Sequence, residues 1–371
     1  MAEQMIEAEA GLEEQLNSVI DGLDFSAVAG DTVGITWSGE ATDKDSIREV
    51  VAAISRGETL DADALLSSVL NQFLHEITGK GRLMLSLMLP VLLMAVLSRL
   101  ICGQGNALSG MCQGACMTVV LIPMITQVIG ELESTKETIV SLTGQMERML
   151  PLLITLLTAV GGSASSAFFH PMVVMASGSM VFAAREVVLR LVICVCAVTA
   201  VNHLCGGAHL TRMARLLRSA ACWLLGVSFT VFIGTMSLQG VCSASIDGIV
   251  IRAAKYAVDN FVPVVGGMFS DTMDTLIGCT LIVKNAMGVT CVLTLCGVLL
   301  RPMLHTLSSV AVMKLSAALL EPVAQERIIL AIGDFSRIMV LFLITMLCVG
   351  AMYFLLIVQL LLVGNLTVLL R

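Results

Sequence analysis

The chain has 371 residues, of which 57% are hydrophobic and 13% are charged, and its mean hydropathy is +0.93. The charged share is about half the ~25% that is usual for soluble domains. A single soluble core of this size would leave much of the apolar surface in water. The composition therefore excludes an ordinary soluble enzyme and predicts an all-α, polytopic integral membrane protein built as a helical bundle.

The net charge of −7 is unevenly distributed along the chain. Residues 1–80 contain 16 of the 28 acidic residues but only 4 of the 21 basic ones. Such asymmetry indicates two environments, so we expect a small acidic, soluble helical region over 1–81 and a multi-span membrane domain over 82–371. The first ten residues lack the basic and apolar stretches of a signal peptide, so they do not themselves supply an export signal.

The acidic region is predicted to contain short helices near 44–56 and 61–77. Asp61 and Asp63 stand where acidic residues cap and stabilise the first turn of the second helix. The run Gly79-Lys80-Gly81-Arg82 then predicts a turn at the membrane boundary.

Six apolar segments are long enough, or nearly so, to cross a bilayer core of ~30 Å. The last is predicted as one tilted helix or as two shorter ones hinged at Gly350. A further apolar stretch, 149–184, is broken at Gly161-Gly162 and predicts two short half-helices. About five to eight membrane segments are therefore expected. The six segments are 83–102, 108–130, 186–204, 219–238, 285–304 and 337–364.

Two small features bear on packing and orientation. Gly110 and Gly114 are four residues apart, a spacing that lets two membrane helices approach closely, although chance spacing in a chain with 31 glycines explains them equally well. Arg212, Arg215 and Arg218 lie in a predicted loop over 205–218 that has no acidic residue. Because positive charge in short loops faces the cytoplasm, these arginines are the predicted cytoplasmic anchor.

Three stretches combine charged and apolar residues at helical spacing. Residues 131–148 and 239–260 predict amphipathic helices that lie on the membrane surface or dock against another subunit. Residues 305–333 predict a third cytoplasmic or interfacial helix.

The sequence contains none of the common catalytic or cofactor motifs. It has no phosphate-binding GxxxxGK[ST] loop, no GxSxG nucleophile motif and no CxxC pair. His203, Cys205 and His209 have no fourth ligand at a suitable spacing for zinc. We therefore expect no catalytic residue, no cofactor, no metal and no enzymatic activity. The absence of a basic stripe with interleaved aromatic residues also argues against nucleic-acid binding.

The region 234–288 combines charges and glycines at predicted membrane depth, where ionisable groups are costly and tend to serve function. Asp271, Asp274 and Lys284 could line a polar path. Alternatively, Asp271 caps a helix and Asp274 interacts with the dipole of its first turn.

The same region carries a series of short motifs: QGV…DG…R-x-x-K, F-x-P-x-V-G-G, S-D…D-T and K-N-A-x-G. In this combination and order they closely resemble the signature of the stage III sporulation protein AE family. Leu320-Glu321-Pro322, further along, also resembles the family. The matching positions are Gln239, Gly240, Asp247, Gly248, Arg252, Lys255, Phe261, Pro263, Val265, Gly266, Gly267, Ser270, Asp271, Asp274, Thr275, Lys284, Asn285 and Gly288.

The resemblance implies a membrane core subunit of the channel complex that joins mother cell and forespore and supports forespore development during endospore formation. It implies location in the outer forespore membrane, with the acidic region in the intermembrane space. The implied partners are a cytoplasmic ATPase, ring-forming subunits and the lipid bilayer. The alternative is a stand-alone transporter or permease that uses Asp271, Asp274 and Lys284.

Overall fold

The computed structural model describes residues 62–100, 106–159, 163–205, 210–261 and 266–369. Every element within these ranges is helical, which confirms the predicted all-α class. The predicted helix over 44–56, the glycine pair at 161–162 and Pro263 lie outside the described residues. The helices are α1 (Ala62–Gly79), α2 (Gly81–Leu100), α3 (Asn106–Ala159), α4 (Ser163–Phe182), a π-helical turn (Ala183–Val188), α5 (Leu189–Leu204), α6 (Thr211–Phe261), α7 (Gly266–Leu320) and α8 (Glu326–Leu369).

The four long helices are the framework of the membrane domain. They have 54, 51, 55 and 44 residues, so each is longer than about 60 Å at ~1.5 Å per residue. Each contains an apolar stretch able to span a bilayer, and the protein is an integral membrane protein. Since the bilayer core is only ~30 Å thick, each helix either extends well past the core or crosses it at a steep tilt. The candidate spanning parts are Gly114–Ala159, Thr211–Gly240, Gly278–Leu320 and Glu326–Val363.

Contacts along the long helices fix their relative directions. Thr306 and Thr294 of α7 meet Glu131 and Met149 of α3, so the two helices are antiparallel. In the same way, Lys284 of α7 meets Leu361 of α8, whereas Leu299 lies against Gly350. Helix α7 therefore runs opposite to both α3 and α8.

Helix α8 lies at the centre of the bundle. Its buried face includes Phe335, Phe342, Val349 and Leu356, residues that recur every seven positions on one side of the helix. It packs against α3, α4, α5, α6 and α7. A helix that is apolar on nearly all sides is stable only where neighbours or lipid cover it, which explains why the most apolar segment of the chain occupies the core.

Of the two alternatives predicted for 337–364, the single helix is confirmed, because α8 continues unbroken through Gly350. A β-carbon at Gly350 would lie 2.6 Å from Leu299 Cδ2. The glycine thus allows α7 and α8 to approach each other, a role that requires no break in the helix.

The structure also corrects the reading of residues 131–148 as a separate surface helix. They form the middle of α3, and their apolar side, including Ile139, Leu142 and Met146, is buried in the core. Likewise, 239–260 continues α6, and the first half of 305–333 continues α7 as far as Leu320. The amphipathic pattern correctly predicted helices, but it could not show whether their apolar side faces a bilayer or a neighbouring helix of the same chain.

A leucine at Gly350 should destabilise the protein by about 1–3 kcal/mol, because it would overpack the α7–α8 contact. Gly226→Leu in α6 is the matched control, since a β-carbon there would meet nothing within 4 Å. Thermal unfolding of the full-length variants in detergent should show a lower midpoint for Gly350→Leu than for Gly226→Leu. Equal midpoints would contradict the close approach.

Candidate functional site

Several motif residues meet where α6, α7 and α8 pack together. Gly240 of α6 and Gly288 of α7 both face the last turns of α8. A β-carbon at Gly240 would lie 2.2 Å from Gln359 Nε2, and one at Gly288 would lie 2.3 Å from Leu361 Cδ2. The small residues at these two positions therefore let α8 fit between its neighbours.

Polar side chains join the same three helices. Gln359 Nε2 of α8 donates a hydrogen bond of 2.5 Å to the carbonyl of Met236 in α6. Gln239, in the next turn, is also buried. Lys284 Nζ of α7 donates to the carbonyl of Leu361 at 3.0 Å, and the side chain is fully buried. We refer to this contact around Gly240, Lys284, Gly288 and Gln359 as the motif junction.

Lys284 is the least expected residue of the motif junction. A buried ammonium is costly unless it is paired, and a single carbonyl compensates only part of its lost hydration. Among the described side chains no carboxylate forms an ion pair with it. The backbone of Asp274 lies ten positions earlier in α7, about 15 Å along the axis, so the structure does not bring these two positions together.

The remaining motif positions fall on either side of the junction. Asp247, Gly248, Arg252 and Lys255 lie in the second half of α6, where Arg252 is exposed.

Gly266 and Gly267 begin α7, so Asp271 lies inside that helix and the alternative that it is a capping residue is wrong. Asn285 follows Lys284, and its buried Oδ1 has no partner among the described residues. Glu321 and Pro322 form the exposed turn between α7 and α8.

A second buried polar cluster surrounds Glu131 in the middle of α3. The carboxylate is completely buried and accepts hydrogen bonds from Thr306 Oγ1 at 2.8 Å and from Ser309 Oγ at 2.6 Å. Gln127 Nε2, one turn earlier in α3, donates at 3.1 Å. His305 Nδ1 lies 3.2 Å away. These donors hold a charged carboxylate inside the bundle.

Lys80 links this cluster to the N-terminal helices. It occupies the single-residue turn between α1 and α2, and its Nζ lies 3.7 Å from Glu131 Oε1. The ammonium also donates to the His305 carbonyl at 2.5 Å and to the Ser309 hydroxyl. Burial lowers the pKa of Lys80, while the charges of Glu131 and Glu76 oppose that shift. We call Lys80, Gln127, Glu131, His305, Thr306 and Ser309 the Glu131 cluster.

Sequence reasoning missed the Glu131 cluster. Lys80 was interpreted only as part of a boundary turn, and Glu131 as the polar side of a surface helix. No local signal set Glu131 and His305 apart, because Glu131 stands close to other charged residues in an amphipathic pattern. Their partners lie about 175 positions away in the chain, which local spacing cannot reveal.

The predicted arginine anchor lies on the first turns of α6 and not in a loop. Arg212 and Arg215 are exposed, whereas Arg218 Nη2 is 3.9 Å from Asp334 Oδ1 at the start of α8. His203, at the end of α5, lies 3.2 Å from the other oxygen of Asp334. Charged side chains therefore hold together the last turns of α5, the first turns of α6 and the beginning of α8. We call this region the arginine end.

Gly114 does not make the predicted close helix contact within this chain. It is exposed, and a β-carbon there would meet nothing within 4 Å. For Gly110, near the start of α3, the structure describes only the helical backbone. The close helix approaches occur instead at Gly240, Gly288 and Gly350.

Comparison with known proteins connects this geometry to a family. A family model described as stage III sporulation protein AE matches residues 46–364. The chain belongs to the stage III sporulation protein AE family. The stage III sporulation protein AE of Bacillus subtilis (strain 168) is 29% identical over 307 residues, which cover 82% of this chain and 77% of that protein. No solved structure matches.

Family membership assigns the protein a role in sporulation. The matched range contains both the motif junction and the Glu131 cluster. It also begins within the acidic region, before the first described helix, and ends near the end of α8.

Glu131→Gln should destabilise the protein by about 3 kcal/mol, because it leaves Lys80 buried without its counter-charge. Glu133→Gln, at an exposed position of the same helix, should have little effect. If the two charges form a pair, the double variant Lys80→Met with Glu131→Gln should lose less stability than the two single losses added together. Thermal unfolding in detergent measures all four variants, and strict additivity would argue against the pair.

Proposed function

We propose that the protein is a membrane core subunit of the channel complex between mother cell and forespore, required for forespore development during endospore formation. In this proposal it resides in the outer forespore membrane, has no enzymatic activity of its own, and assembles with a cytoplasmic ATPase and ring-forming subunits. Family membership supports the sporulation setting.

The observation that carries the structural part of the proposal is the motif junction. Its small and polar residues join three long helices by close packing and by hydrogen bonds to backbone carbonyls. Such residues determine how helices are arranged. A catalytic site would instead need a nucleophile and a base within hydrogen-bond reach, and the junction has no such pair among its described residues.

The second half of α6 is the proposed docking surface. Ile249 and Tyr256 are 69% and 72% exposed and lie seven residues apart, hence on one side of the helix. If the arginine end faces the mother-cell cytoplasm, this half of α6 extends toward the intermembrane space. Exposed apolar and aromatic residues outside a bilayer are typical of protein interfaces.

Affinity purification of the tagged full-length chain from sporulating cells, followed by mass spectrometry, tests the proposal. The unsubstituted chain should recover the ATPase and the ring-forming proteins. Recovery of the chain only as a homo-oligomer would argue against a complex subunit.

The combined variant Ile249→Glu with Tyr256→Glu should reduce recovery of ring-forming proteins several-fold, because it places charge on the docking surface. Val323→Glu, in the exposed turn at the arginine end, is the matched control and should recover them normally. Unchanged recovery with the combined variant would place the docking surface elsewhere.

The unpaired ammonium of Lys284 favours one alternative, a stand-alone transporter in which this residue contacts substrate or a coupling ion. Lys284→Gln separates the two functions, and Lys314→Gln at an exposed position of α7 is its control. A channel subunit should lose assembly when Lys284 is replaced, since the motif junction is weakened. A transporter should retain assembly and lose transport into vesicles.

A further inference from the structure

A small polar cavity lies at the arginine end, between the last turns of α5, the first turns of α6 and the beginning of α8. Its volume is about 70 Å³, roughly the space of two or three water molecules at ~30 Å³ each. The cavity therefore suits a compact polar group and not an extended ligand. Its lining includes Thr199, Arg215, Arg218, Asp334 and Arg337.

The charges around the cavity favour an anion. Three arginines line it, while Asp334 is the single acidic residue of the lining. That carboxylate is already engaged, since Arg337 Nη1 donates to it at 3.0 Å and Arg218 Nη2 lies 3.9 Å away. Two positive charges remain in excess, in a form that recognises oxyanions through several N–H groups at once.

The hydroxyl of Thr199 provides an independent indication of a ligand. This side chain is only 2% exposed, lines the cavity, and has no hydrogen-bond partner among the described residues. Other helical threonines behave differently: Thr138, Thr230 and Thr290 each donate to the carbonyl four residues earlier. Arg218 Nε is likewise buried without an acceptor. Buried polar groups are rarely left unpaired, so these two donors indicate a missing acceptor.

We propose that this cavity binds a phosphate group, as carried by the headgroup of an anionic lipid or by free phosphate. Lipid is the nearer source, because the cavity lies at one end of the candidate spanning parts of α6 and α8. Basic pockets between membrane helices are known to hold anionic headgroups. Arg215 and Arg218 supply positive charge from α6, and the hydroxyl of Thr199 in α5 donates a hydrogen bond to a phosphate oxygen.

Titration of the purified full-length protein in a neutral detergent tests this site. Binding of phosphatidylglycerol, phosphatidylcholine and inorganic phosphate is measured by native mass spectrometry and by the shift in thermal unfolding. Binding of phosphatidylglycerol in preference to phosphatidylcholine supports a lipid headgroup, and stabilisation by inorganic phosphate alone supports free phosphate. No binding of either anion would overturn the proposal.

Arg215→Gln should weaken binding of the anion roughly tenfold, the effect of losing one charge-assisted hydrogen bond. Arg212→Gln is the matched control, because it removes the same charge three residues earlier on α6 but does not line the cavity. Equal weakening by both variants would indicate attraction by the basic surface as a whole and would overturn the proposal.

Thr199→Val tests the cavity without changing its charge. The substitution keeps the shape of the side chain and removes the hydroxyl, so binding should weaken several-fold while the unliganded protein remains folded. Thr230→Val, at an exposed position of α6, should leave binding unchanged. Unaltered binding in Thr199→Val would show that the ligand lies outside the cavity and would contradict the proposal.

Discussion

The buried carboxylate of Glu131 imposes the strongest constraint on the arrangement of the helices. A carboxylate inside an apolar bundle requires donors, and here α7 and the turn between α1 and α2 supply them. If α7 slid along its axis by one turn, about 5.4 Å, Thr306 and Ser309 would no longer reach the carboxylate. The Glu131 cluster therefore fixes the register between α3 and α7, a specificity that apolar packing alone provides less sharply.

Helix α7 is held at two widely separated places, and the two contacts are different in kind. At the Glu131 cluster it meets α3 through hydroxyls and charge. At the motif junction it meets α8 through Gly288 and the ammonium of Lys284. The two places are about twenty residues apart along α7, or roughly 30 Å. A long helix fixed at two such points cannot rotate about its axis without breaking one of them, so α7 links the N-terminal helices rigidly to α6 and α8.

Sequence reasoning was reliable where the determinants are local. The boundary turn at Lys80 and the helix before it follow from glycines and hydropathy, and the apolar segments are helical wherever the structure describes them. The family motif contains Gly240, Lys284 and Gly288, which meet at the motif junction. What failed or stayed open depends on distant partners: the burial of 131–148 and the role of Gly350 are decided by side chains of α7, which lie far away in the sequence.

The surroundings of Lys284 favour a structural role for the motif over a transport path. A path for a substrate or ion needs a water-lined space beside the charged group. Around Lys284, α8 approaches so closely that β-carbons at Gly240 and Gly288 would overlap its side chains. The larger cavity of about 280 Å³ lies elsewhere, between α3 and α4 beside Tyr353, and Lys284 does not line it. The ammonium instead donates to a backbone carbonyl of α8 in a tightly packed contact. The residues of the family motif therefore also explain how α6, α7 and α8 stay together.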